Sequence, residues 1–119
     1  MNSDLNTQKR TAIAGMIEHL NYFHGPDAEN EAGYSEADVD QCDDLLTLYL
    51  DRVSRMSDDD SITSEVRRIV VQLNDLNAHC GYRLIETDQR EQIVPLILTA
   101  ATQAGLKATV DITEQWREW

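Results

Sequence analysis

Between residues 62 and 80 the apolar side chains fall at Ile62, Val66, Ile69, Val70, Leu73, Leu76 and Cys80. Steps of three and four residues keep all seven on one face of an α-helix, and no β-strand, with its period of two, can do the same. The run "RRIVVQL" inside this segment is rich enough in β-branched residues to form a strand in isolation. The i, i+3, i+4 continuation on either side decides for helix. A helix with one apolar stripe must bury it against other elements, so the rest of the chain has to supply matching faces.

It supplies three. Ile13, Met16, Ile17, Leu20 and Phe23 form a first stripe, which Asp4 can cap and "HGP" at 24–26 ends. Val39, Cys42, Leu45, Leu46, Tyr49, Val53 and Met56 form a second, opened by Ser35 or Asp38. The acidic turn "SDDDS" at 57–61 closes it and caps the stripe at 62–80 through Asp60 or Ser61. Ile93, Leu96, Ile97, Ala100, Ala101 and Ala104 make the last stripe, terminated by Gly105. "LKATV" at 106–110 suits an extended segment but has no partner strand. In the closing "DITEQWREW", Asp111 and Glu114 have capping-box spacing, and the final turn carries Trp116 and Trp119. Docking onto the core is the expectation for Trp116, while Trp119 is as open to an exposed binding role as to docking. The expected fold is all-α: a single domain, 1–119, of four main helices in a bundle plus a short C-terminal helix.

The stretch "HCGYRLIETDQRE" at 79–91 concentrates groups with chemical potential, yet it reads best as a joint. Cys80 and Gly81 end one helix, Leu84 and Ile85 plug the core, and Thr87 or Asp88 caps the next helix. Pro95 then lies inside that helix, where its ring opposes the carbonyl of Glu91 and a kink or split is expected. Arg83 and Arg90 are expected to pair with nearby acids.

No motif for catalysis or for a cofactor emerges. His19 and His24 are five apart, which misses the two-histidine, one-face spacing of a zinc protease. Cys42, His79 and Cys80 lack any local ligand spacing, and "SDDDS" lacks the alternating ligands and glycine of a calcium loop. Cys80 at a helix C-terminus faces the negative end of the dipole, which disfavours a reactive thiolate. Glu86, Asp88 and Glu91 are accounted for by a helix start. The chain is therefore expected to be no enzyme and to carry no catalytic, metal or cofactor site.

Charge is the informative property. Twenty-two acids against ten Lys and Arg give −12. Residues 1–60 hold −10 of it and residues 61–119 hold −2. Such a field repels nucleic acid and anionic membranes and steers the chain towards basic partners. The excess centres on 27–44, eight acids with no Lys or Arg. The partner surface is accordingly expected at Asp27, Glu29, Glu31, Glu36, Asp38, Asp40, Asp43 and Asp44, with Tyr34 as its aromatic anchor. Solubility alone is the plainer reading of the same run. Two cysteines, a polar start and no apolar run of membrane-spanning length favour a cytoplasmic setting.

The stretch "LNDLNAHCGYRLIETDQREQI" with the terminal "DITEQWREW", about a quarter of the chain, resembles segments of small, acidic, uncharacterised bacterial proteins. The wider profile resembles bacterial immunity proteins, which are small, acidic, often helical, and block a cognate toxin. The chain departs from the colicin-nuclease immunity pattern, having no paired-tyrosine helix followed by proline. The resemblance implies a toxin inhibitor: a non-enzymatic module that neutralises or regulates a basic protein partner. A helical adaptor or an oligomeric structural protein is the alternative. A nucleic-acid mimic ranks lower, because the acids cluster around a loop and do not run along one long face.

Overall fold

The computed structural model describes residues 3–22 and 32–119. Over these it is all-helical: α1 (Ser3–Tyr22), α2 (Glu36–Ser54), α3 (Asp59–His79) and α4 (Thr87–Ala104), followed by a 3-10 turn at Ile112–Gln115. No strand forms among the described residues, and 106–110 is coil. No described helix is long and apolar enough to cross a membrane.

The stripes become the core. All seven apolar residues of the α3 stripe are buried, as are Val39, Cys42, Leu46, Tyr49 and Val53 on α2. On α4 Ile93, Leu96, Ile97, Ala100 and Ala101 are buried; on α1 it is Ala12, Met16 and Leu20. Ile17 is more exposed than its place in the stripe predicts, and Phe23 and "HGP" lie outside the described residues. Helix α2 touches all three other helices, and α1 packs on α2 and α4.

Cross-helix contacts fix the register. Arg52 meets Glu65, and Asp38 lies 3.8 Å from His79. Fourteen residues forward on α2 thus correspond to fourteen backward on α3, which makes the pair antiparallel and aligned over about four turns. Two buried tyrosines tie helix backbones together. Tyr49 donates its hydroxyl to the Ile97 carbonyl at 2.7 Å, and Tyr34 donates to the Met16 carbonyl at 2.9 Å. A buried ring brings apolar area but needs a partner for its O–H, and a helix carbonyl is the nearest acceptor.

The caps explain where each helix begins and ends. Ser35 caps α2: its hydroxyl accepts from Asp38 N–H, while Ser35 N–H donates to the Asp38 carboxylate. The cap of α3 is Asp58, which accepts from Ser61 N–H at 2.8 Å, so this helix starts earlier than the expected Asp60 or Ser61 caps allow. Three consecutive aspartates make several caps chemically equivalent, and Asp59 is engaged elsewhere, accepting from Lys107 N–H at 2.9 Å. Likewise α4 is capped one residue early, at Glu86, whose N–H donates to Gln89. It runs unbroken through Pro95, correcting the expected split. Pro95 and Glu91 are both exposed, on a side where water can serve the Glu91 carbonyl that lost its donor.

From Cys80 to Ile85 the joint folds as read. Gly81 N–H donates to Ala78 C=O and Tyr82 N–H to Asn77 C=O, the two bonds of a Schellman closure, with Gly81 at φ 64°. Tyr82 also takes a positive φ. Leu84 and Ile85 are buried, and the buried Asn77 side chain accepts from Ile85 N–H at 2.9 Å. Arg90 makes no ion pair among the described residues, against expectation.

Past Gly105 the chain returns along α3. Asn74 donates to the Trp116 carbonyl at 2.7 Å and accepts from Glu118 N–H at 3.0 Å, so one amide clasps the tail. Asp111 caps the final turn by accepting from Thr113 N–H. Trp116 and Trp119 both pack against the core, and Arg117 lies over the Trp119 ring at 5.5 Å.

Candidate partner interface

The nine residues expected to meet a partner fall into three groups. Asp27, Glu29 and Glu31 lie outside the described residues. Tyr34 is turned inward. It is only 3% exposed, its ring stacks on His19 with centroids 6.1 Å apart, and its hydroxyl is bonded to α1. Burial, then the nearby Glu86 carboxylate, pushes its pKa up to about 12. The expected aromatic anchor is therefore a core residue, its ring and its hydroxyl both engaged by α1.

Of the five acids on α2, two have internal partners. Asp38 accepts from Ser35, and the Cys80 thiol and His79 lie close by. Asp43 pairs with Lys9 at 2.9 Å, bridging α2 to α1. Glu36, Asp40 and Asp44 remain, all exposed and without an ion pair among the described residues. They are spaced four apart, so they form one row along α2. One more step of four leads to Leu48, which is 46% exposed. On α3 the exposed Asp75 is likewise without an ion pair.

The outer seam between α2 and α3 opens into a groove of about 340 Å³, lined by Gln41, Leu45, Gln72, Asp75, Leu76 and His79. A larger cleft of about 740 Å³ lies where the first turn of α1 meets the C-terminal ends of α2 and α4. Leu5, Leu50 and Ala104 line it, and at its rim Asp51 is already paired with Arg55.

The groove and Leu48 were missed from sequence. The one available signal was Leu48 itself, an apolar residue off the core stripe between Leu45 and Tyr49. The groove depends on how two helices pack, which no single periodicity reports.

Chemistry elsewhere is quiet. Cys42 and Cys80 are buried free thiols, and burial first, with neighbouring Asp43 and Asp38 respectively, pushes both up to about 12. A thiol so protonated at neutral pH is a poor nucleophile. Among the described residues no three His, Cys, Asp or Glu side chains converge as a metal site. The buried Glu65 accepts from both Arg52 and Arg68, a structural ion triad at the opposite end of the α2–α3 seam. Compared with family models, curated proteins and solved structures, the chain matches none.

Proposed function

We propose that this chain is a non-enzymatic binding protein that neutralises or regulates a basic protein partner, in the manner of an immunity or antitoxin protein. The observation that carries this reading is the row Glu36, Asp40 and Asp44. Three carboxylates held side by side on a rigid helix repel one another, and no ion pair among the described residues offsets them; only Glu36, in the first turn, gains from the helix dipole. Lys9 offsets Asp43 on the same helix, and the Arg52 and Arg68 guanidiniums offset Glu65 on the helix facing it. A net charge of −12 extends the attraction beyond the contact zone and speeds encounter with a cationic surface.

The structure sharpens which charges to test. Reversing Asp38 or Asp43 would break a helix cap or an inter-helix ion pair and would confuse folding with binding. The informative variant is Glu36→Lys, Asp40→Lys and Asp44→Lys together, checked for an unchanged helical spectrum. Immobilised wild-type protein is expected to retain a basic protein from the lysate of its own source, to release it at raised salt, and to inhibit its activity. The triple variant is expected to retain none. If both retain the same proteins regardless of salt, the acidic row is only a solubilising surface and the reading is wrong.

A further inference from the structure

We propose that residues 111–119 form a strap, hinged at 107–110, that swings off α3 as one unit while the four helices stay folded. The inference is independent of the basic-partner reading above. The hinge is a run of exposed residues from Lys107 to Val110, and Val110 is 69% exposed. It follows Leu106, which is buried and whose N–H donates to the Ala101 carbonyl at the close of α4. Lys107 N–H donates to Asp59 at 2.9 Å, which fixes the base of the hinge on the bundle.

Past the hinge the chain is braced largely against itself. Asp111 accepts from Thr113 N–H, and Arg117 donates to Thr113 Oγ1 at 3.3 Å and to the Trp119 carbonyl at 2.8 Å. The same guanidinium meets the Asp111 carboxylate at 3.4 Å and lies over the Trp119 ring. One arginine thus ties the first residue of the strap to its last, so the segment moves as a body and does not fray residue by residue.

Its attachment to α3 is narrower. Among the described residues, the hydrogen bonds between strap and α3 all run to Asn74. That amide donates to the Trp116 carbonyl and the Glu118 carboxylate, and it accepts from Glu118 N–H. Ile112 and Thr113 are buried, and Trp116 and Trp119 are half-buried against the core. Helix α4, by comparison, buries Ile93, Leu96, Ile97, Ala100 and Ala101 and packs on all three other helices. Opening a segment costs in proportion to what it uncovers, so the strap opens at a lower free energy than the bundle. The docked state also carries a penalty, because the buried Trp119 indole N–H has no acceptor among the described residues. Swinging out lets that donor bond to solvent, and it bares the Asn74 amide, 7% exposed when docked.

Trp116 and Trp119 are the chain's two tryptophans, so intrinsic fluorescence reads the strap while far-ultraviolet circular dichroism reads the helices. In a urea titration of the full chain, the fluorescence midpoint is expected below the dichroism midpoint. The amides of Trp116 and Arg117 both donate to the Thr113 carbonyl. In native buffer they are expected to exchange hydrogen together, more than about tenfold faster than the amides of Leu73 and Leu76 in α3. Asn74→Ala is expected to speed the strap amides roughly tenfold further and to lower the fluorescence midpoint without lowering the dichroism midpoint. Coincident midpoints with equally slow exchange at all four amides overturn the proposal, because the strap then unfolds only with the bundle. Unprotected Trp116 and Arg117 amides in the wild type overturn it too, because the segment then frays. Two midpoints that fall together in Asn74→Ala overturn it as well, because Asn74 then holds the bundle and is no latch. The wild-type measurements decide the case if that variant does not fold.

Discussion

Two regions of the α2–α3 pair treat charge in opposite ways. Towards the C-terminus of α2, Glu65 is only 2% exposed and accepts from two arginines, one on each helix. Towards the N-terminus, Glu36, Asp40, Asp44 and Asp75 stand in water with no ion pair. Burial explains the first end: a carboxylate withdrawn from water is tolerated only with cations and hydrogen bonds around it. It says nothing about the second. Exposed acids cost little to leave unpaired, so there the arrangement is free to answer to a partner.

The sharpest way to break this contrast is at the compensated end. Glu65→Ala removes the shared acceptor of Arg52 and Arg68, whose guanidiniums still reach water. It is expected to cost about 2 kcal/mol, read as a lower urea midpoint at unchanged slope. A loss within error would mean that the triad is no more structural than the exposed row.

Next comes alkaline pH. Both thiols have a folded pKa pushed from 9.0 to about 12, while the unfolded chain releases these protons near the ordinary value. The native state therefore holds its protons more tightly. Their contribution to stability is complete below pH 9 and is lost as pH climbs from 9 towards 12. Thermal midpoints measured across that window should fall, and below it a thiol reagent should label Cys42 and Cys80 only as fast as the protein unfolds. Rapid labelling of the folded protein at neutral pH would reopen an enzymatic role for Cys80.

Removing one hydroxyl gives a smaller effect. Tyr49→Phe leaves the ring in place but deprives the Ile97 carbonyl of its donor, at a cost of about 1 kcal/mol in chemical denaturation. Lys9→Ala should cost less, about 0.5 kcal/mol, because Asp43 is partly in water and such pairs are weak. Smallest of all, Glu36→Gln, Asp40→Asn and Asp44→Asn together should leave stability within about 0.5 kcal/mol of wild type, or raise it slightly by removing repulsion. A large loss would show that the row holds the fold and would remove the argument for a partner.

The sequence made the helices legible because burial and periodicity carry the same information. Every member of the Ile62–Cys80 stripe is buried, and the Gly81 closure and the Leu84–Ile85 plug follow from local chemistry. Caps were less legible where neighbouring residues compete. "SDDDS" offers several acceptors, and only the hydrogen bond from Ser61 N–H shows that Asp58 is the one used. Tyr34 misled for a different reason. Its acidic neighbours made it resemble a surface anchor, yet its ring reaches His19 and the Met16 carbonyl on α1, contacts that no local pattern encodes. The acidic run reads as uniform in sequence, and three dimensions were needed to separate Asp38 and Asp43, which make contacts within the fold, from Glu36, Asp40 and Asp44, which make no ion pair among the described residues.

The central claim is that these last three carboxylates capture a basic partner. It is tested most directly by measuring the association rate with the captured partner as a function of ionic strength, for wild type and for Glu36→Gln, Asp40→Asn, Asp44→Asn. The wild-type rate should fall steeply with salt, and the variant should start lower with a visibly shallower dependence. Superimposable salt dependences for the two proteins would contradict the claim.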